Sequence, residues 1–138
     1  LLTAVLLPAP EGGFTALNPE TGSTSQGETV EEALANLREA TELFLEEFPI
    51  AAPGQPLVTT FEVAVMPRLP RVSGSGAVRA LQKLGFEVAR QRGSHIVLRR
   101  GSAGCVVPNH HELKVGTLAS VLKQAGVSAD AFIEALRQ

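Results

Sequence analysis

The chain changes sign at one point. From Leu1 to Val65 ten glutamates face a single base, Arg38, for a net charge of −9. From Met66 to Gln138 eleven Lys or Arg face four acids, for a net charge of +7. The overall charge of −2 conceals this division. Segments of opposite sign attract each other, and a basic segment alone attracts polyanions. At 138 residues the chain can form one ordinary domain or two very small ones. A boundary this sharp favours two.

In the acidic half, Leu1–Leu7 reads as a buried strand ended by Pro8 and Pro10. Glu11-Gly12-Gly13 signals a hairpin turn into a strand around Phe14–Leu17. Asn18-Pro19 and Thr21-Gly22 turn the chain again toward a strand at Ser23–Gln26. Thr29 followed three residues later by Glu32 has capping-box spacing. The helix so started runs to about Phe48, where Pro49 ends it. Val30, Leu34, Leu37, Thr41, Phe44, Leu45 and Phe48 form its apolar stripe, with an acidic back. After a loop at Ala51–Pro56, Leu57–Val65 alternates as a fourth strand. The order is β-β-β-α-β. This half has no His, Cys or Asp and no glycine-rich phosphate loop, which is the profile of a binder and not of a catalyst.

Residues 66–75, rich in Pro and Gly with two Arg, read as a linker or arm. About ten extended residues span at most ~35 Å, which permits docking within one chain or exchange between two copies. A homo-oligomer is therefore an open alternative. Ser75 is placed to cap a helix from Gly76 to Leu84, with Gly85 as its stop. Phe86–Gln91 reads as a strand with Phe86 and Val88 on one face, and Arg92-Gly93 turns into the next. Gly101–Gly104 makes another hairpin turn, and Cys105–Val107 is a third strand ended by Pro108. Helices follow near Gly116–Ala125 and after Ser128. The core order α-β-β-β-α, strands antiparallel and helices on one face, is the layout of a double-stranded-RNA-binding-like domain. The fold class is α+β in two small domains, 1–65 and 76–138, joined by 66–75.

The middle strand of the basic half carries the candidate chemistry. Side chains alternate, so Ser94, Ile96 and Leu98 share one face while His95, Val97 and Arg99 take the other. With Ile96 and Leu98 in the core, His95 is expected on the open face, bracketed by Arg90, Arg92, Arg99 and Arg100. An imidazole there can hold and cut a phosphodiester. From this strand alone, a structural histidine is the commoner outcome.

The single Cys105 excludes an internal disulfide framework, suits a reducing compartment and reads as a small core residue. No apolar run has the length of a membrane span, and Leu1–Leu7 lacks the basic start of a signal peptide, so a cytoplasmic location is expected. The chain begins at Leu1 and not Met, so a few leading residues are expected to precede it. Cys105, His110 and His111 lack zinc-site spacing, and no metal or other cofactor is expected.

Two stretches resemble known families. "STSQGETVEEALANLREATELFLEEFP", with Gly27-x-Thr29-x-x-Glu32-Ala33, resembles the HicB antitoxin core over Leu1 to about Val65. That resemblance implies a partial RNase H-like fold without nuclease activity. The helix-turn-helix or ribbon-helix-helix segment that HicB proteins commonly add has no counterpart here, so DNA binding is not expected. "LQKLGFEVARQRGSHIVLRR" and "VVPNHHELKVGTLASVLKQAGVS" resemble the HicA toxin family, also called YcfA-like, over Met66 to about Leu136. The HicA resemblance implies an mRNA interferase whose Gly-Ser-His histidine, His95 here, is catalytic.

With that resemblance, His95 is assigned as general base or acid in metal-independent RNA cleavage. Arg92, Arg99, Arg100, Lys114 and Lys123 are candidate phosphate contacts, and Ser94 a residue that orients substrate or imidazole. The second proton-transfer group is open; His110 and His111, in the loop after the third strand, are surface residues unless the fold brings them in. The expected partners are mRNA and the acidic half itself, which would mask His95. A non-catalytic RNA-binding module with an acidic regulatory domain is the alternative from another class.

Overall fold

A computed structural model describes residues 1–51, 54, 56–61 and 68–138. It is a mixed α+β structure with two three-stranded antiparallel sheets and four helices among the described residues. The first sheet is the meander β1 (Val5–Pro8), β2 (Phe14–Leu17) and β3 (Thr24–Gly27). Gly12 and Gly13, at φ +100° and +71°, make the first turn in a region that L side chains rarely enter.

Helix α1 (Val30–Glu47) starts as its capping signal predicts. The Glu32 N–H donates to Thr29 Oγ1 at 3.1 Å, and the Glu32 carboxylate accepts from the Glu28 N–H at 3.3 Å. Its buried face is rotated from the expected stripe. Ala33, Leu37, Ala40, Thr41, Leu43 and Phe44 are buried, whereas Val30 and Leu34 are exposed. The reason is that α1 has two partners. Ala33 and Leu37 pack on Ala16 of the first sheet, while Ala40, Leu43 and Phe44 pack on the second.

The expected fourth strand at Leu57–Val65 is not formed by Leu57–Phe61, where Leu57, Val58 and Phe61 are exposed. Residues 62–65 lie outside the described residues. The expected strand at Leu1–Leu7 is shorter and displaced: pairing begins at Val5 and includes Pro8, with Leu1 and Leu2 exposed.

In the basic half, α2 (Gly74–Lys83) leads to β4 (Glu87–Arg92), β5 (His95–Arg100) and β6 (Ala103–Pro108), then α3 (Val115–Ala125) and α4 (Ala129–Arg137). Helix α2 begins two residues earlier than expected, inside the presumed linker. Its cap is Ser73, whose Oγ accepts the Gly76 N–H at 2.9 Å, and not Ser75. Gly74 permits this early start: its backbone lies so close to Pro108 and Asn109 that a Cβ would collide with them.

The sheet order is β4-β5-β6, with a bulge between Val88 and Arg90. Phe86 precedes the strand and enters the core, while Val88 is exposed, so the two do not share a face. The main core lies entirely within the basic half. Phe86, Ile96, Leu98, Cys105 and Val107 meet Leu81, Leu118, Val121 and Phe132 from the three helices. The opposite sheet face is not open, because Val97 and Val106 lie beneath α1. Among the described residues no helix is long and apolar enough to cross a membrane.

Candidate active site under β3

The alternation along β5 holds: Ile96 and Leu98 enter the main core, and Val97 points the other way. His95 shares the Val97 face but is not exposed to solvent. It is fully buried, because β3 and α1 of the acidic half lie over it. Ser25 Oγ is 2.6 Å from His95 Nε2. Nδ1 has no hydrogen-bond partner; the Glu39 carboxylate stands 3.7 Å away, too far for a hydrogen bond but near enough to act as a charge. Burial holds the His95 pKa below its ordinary value, the Glu39 charge opposes that shift, and His110 adds to it. A neutral imidazole protonated on Nδ1 suits both neighbours: its proton faces Glu39 and its Nε2 accepts the Ser25 hydroxyl.

The next residue along β3 holds a second imidazole. Gln26 Oε1 accepts the Lys114 N–H at 2.9 Å, which fixes the amide so that Nε2 is the donor. That nitrogen donates to the Glu112 carbonyl at 3.2 Å and lies 3.1 Å from His110 Nδ1. His110 Nδ1 is thereby an acceptor, as a neutral ring requires. Burial lowers the His110 pKa, Glu32 and Glu28 oppose this, and Lys114 reinforces it.

The loop that carries His110 is tied down. His95 pairs across the ladder with Pro108. The Asn109 N–H donates to the Ser94 carbonyl at 2.6 Å, and the His110 N–H to the Pro108 carbonyl at 3.0 Å. The Gly74 N–H donates to the His110 carbonyl at 2.8 Å. His111 is exposed.

Glutamates of α1 meet the arginines on this face. Glu46 pairs with Arg90 and, at 2.6 Å, with Arg92. Arg99 donates to the Glu47 carbonyl at 3.0 Å and lies over the Phe48 ring at 4.5 Å. Lys114 is buried, with Nζ bonded to the Gly12 carbonyl and 3.5 Å from Glu28. Glu11 accepts the Val115 N–H at 2.8 Å and so caps α3, whose N-cap position is a lysine without a capping side chain. Burial pushes the Glu11 carboxyl upward, but that N–H and the charges of Arg71 and Lys114 leave it below the ordinary range.

The fold therefore gathers Arg92, His95, Arg99, His110 and Lys114 under the acidic half, while Ser94, in the turn before His95, is tied through its carbonyl to Asn109 and makes no side-chain hydrogen bond with that half among the described residues. Arg100 and Lys123 are elsewhere. Arg100 sits on the other side of β5, donating to the Leu84 carbonyl at 2.8 Å and covering the Phe86 ring. Lys123 is exposed on α3 and makes no ion pair among the described residues. Cys105 is a core residue whose thiol pKa burial pushes up to about 12. Among the described residues, no three His, Cys, Asp or Glu side chains are placed to hold a metal ion.

Ser25, Gln26 and Glu39 were not singled out by the sequence. One signal was present: β3 reads Thr-Ser-Gln-Gly, all four residues buried and none with a large apolar side chain. Such a strand is stable inside only if its polar groups are paired.

Residues 74–127 match the family model described as HicA toxin of bacterial toxin-antitoxin. UPF0150 protein ssl0738 of Synechocystis sp. (strain ATCC 27184 / PCC 6803 / Kazusa) is similar, with 43% identity over 47 residues. That match covers 33% of this chain and 65% of the relative, so the chain spans a little under two thirds of the relative's length. No solved structure matches the chain. Residues 74–127, in the basic half, are thus similar to the HicA toxin family.

Proposed function

We propose that this chain is a toxin and its antitoxin in one polypeptide. The basic half is a metal-independent mRNA endoribonuclease, and the acidic half is a HicB-like domain that holds it inactive. The domains are 1–65 and 74–138, joined by a short arm and working in the cytoplasm. The order α2-β4-β5-β6-α3 supports a double-stranded-RNA-binding-like toxin fold, and β1-β2-β3-α1 supports a partial RNase H-like antitoxin fold.

The observation that carries the reading is the Ser25–His95 contact at 2.6 Å. A hydroxyl of the acidic half lies on His95 Nε2, where the 2′-hydroxyl of RNA would lie for His95 to deprotonate it. Arg92 is the ladder partner of His95 and Arg99 lies on the same strand; with Lys114 they would be released to hold phosphate once Glu46, Glu47 and Glu28 leave. Docking within one chain needs no exchange, and complementary charge steers it while apolar contact holds it.

The test is RNA cleavage by residues 68–138 and by the full chain, each with and without His95→Ala. The reading requires activity in the fragment, loss of that activity with His95→Ala, and little activity in the full chain. RNA binding without cleavage would favour the RNA-binding module instead. Equal cleavage by fragment and full chain would reject inhibition.

A further inference from the structure

Cleavage through a 2′,3′-cyclic phosphate needs two proton transfers: the 2′-hydroxyl loses a proton and the 5′-oxygen gains one. One imidazole with a single nitrogen facing the substrate supplies only one of them in the forward step. Consecutive residues of β3 mark two such nitrogens. Ser25 lies on His95 Nε2, and Gln26 on His110 Nδ1. Side chains of β3 meet both rings, and Pro108, two residues before His110, is the ladder partner of His95. The His110 loop is held to this site by the Asn109–Ser94 and Gly74–His110 backbone bonds.

We infer that His110 is the general acid of the reaction and His95 its general base. This rests on the nuclease reading above. As the 2′-oxygen bonds to phosphorus, His95 Nε2 takes its proton. The P–O5′ bond breaks, and the departing oxygen takes the proton of His110 Nδ1. The products are a 2′,3′-cyclic phosphate and a 5′-hydroxyl; one proton has passed from His110 to the substrate and one from the substrate to His95. Exchange with water resets both rings.

In the masked state the Gln26 amide donates to His110 Nδ1, and burial holds both imidazole pKa values below the ordinary value. His95 faces Ser25 of β3, Glu39 of α1 and His110; His110 faces Gln26 of β3, Glu28, Glu32 of α1 and Lys114. Displacing the acidic half removes Gln26, whose amide can only donate to Nδ1 and so excludes a proton there. An incoming phosphate replaces the lost glutamate charges and favours the imidazolium that an acid must be.

The experiment uses the full chain opened by Ala40→Glu and Leu43→Glu, which place carboxylates against Val97 and Val106. Ser25→Arg is a second, independent opening. Two substrates are compared: ordinary RNA, and the same RNA with sulfur in place of the 5′-oxygen at the mapped cleavage position. A thiolate leaves without a proton. His110→Ala in the opened chain is expected to slow cleavage of ordinary RNA by about 10²- to 10⁴-fold. On the sulfur substrate it should match its parent within a few fold. His95→Ala should stay slow on both, and His110→Asn should behave as His110→Ala.

If His110→Ala cleaves ordinary RNA as fast as its parent, or is equally slow on both substrates, His110 is not the acid. An opened parent that cleaves neither substrate overturns the nuclease reading and this assignment with it.

Discussion

Leu43 of α1 and Val97 of β5 are both fully buried and share one apolar cluster with Ala40, Phe44 and Val106. This cluster spans the sign change in the chain, and it fastens the acidic helix over the face that holds His95. Leu43→Ala is expected to cost about 2–5 kcal/mol, the range for a buried leucine that leaves a cavity. Denaturant unfolding measures this, and RNA cleavage by the variant should exceed that of the parent. A cost below about 1 kcal/mol would show that the site collapses around the loss and that the cluster is not the fastening.

The ion pairs should matter less. Arg90, Arg92 and Glu46 are each more than a third exposed, where a pair is worth roughly 0–1 kcal/mol. Glu46→Gln should therefore lower stability by less than about 1 kcal/mol, and high salt should leave the full chain closed. Melting curves at low and high salt test this. A salt-driven rise in RNA cleavage to the level of the opened chain would contradict it.

Acid should loosen the closed form. The pKa values of His95 and His110 lie below their ordinary value in the fold, burial being the largest cause. Above pH ~6.5 neither ring is protonated in either state, so they impose no cost. As pH falls through ~6.5 the unfolded chain takes up protons that the folded chain refuses, and stability drops. The loss levels off only below the folded pKa values. Glu11, held below the ordinary carboxylate range, adds a second loss below pH ~4.5, when its unfolded form takes up a proton first. Stability measured against pH should fall between neutral and pH ~5, and His95→Gln should flatten that slope. An unchanged slope would place the dependence on other groups.

Gly93 precedes Ser94 and His95 at φ +56°, with Glu39 directly over its Cα. Gly93→Ala should cost about 1–2 kcal/mol for the left-handed backbone alone, and more because the added methyl meets the Glu39 carboxylate. Glu39→Ala should relieve the second part and not the first. A double-mutant cycle by thermal or chemical unfolding separates them, and strictly additive losses would remove Glu39 from the explanation.

The two halves are unequal in what they bury. The main core draws only on residues 69–136, whereas the acidic half's own cluster among the described residues is Ala16, Ala33 and Leu37, with Leu6 and Phe14 at its margin. Residues 68–138 should keep their helices and strands alone, while residues 1–61 should be largely unfolded alone. Circular dichroism of each fragment decides it. A cooperative melt from residues 1–61 would refute the asymmetry.

Local signals settled much of this architecture. The Thr29–Glu32 cap started α1, Gly12-Gly13 turned β1 into β2, Ser128 capped α4, and alternation in β5 put Ile96 and Leu98 on one side and His95 on the other. Such features depend on residues a few positions apart, so a single stretch contains both halves of the interaction. What lay over His95 was not legible there. Its partner Ser25 is 70 residues away, and α1 turns a rotated face to the chain because it packs on two sheets at once. Periodicity names the side on which a residue stands. Whether that side meets water or a polar strand is decided by pairings between distant segments, such as Ser25 with His95 and Gln26 with Lys114, in which buried polar groups find partners that a single stretch does not contain.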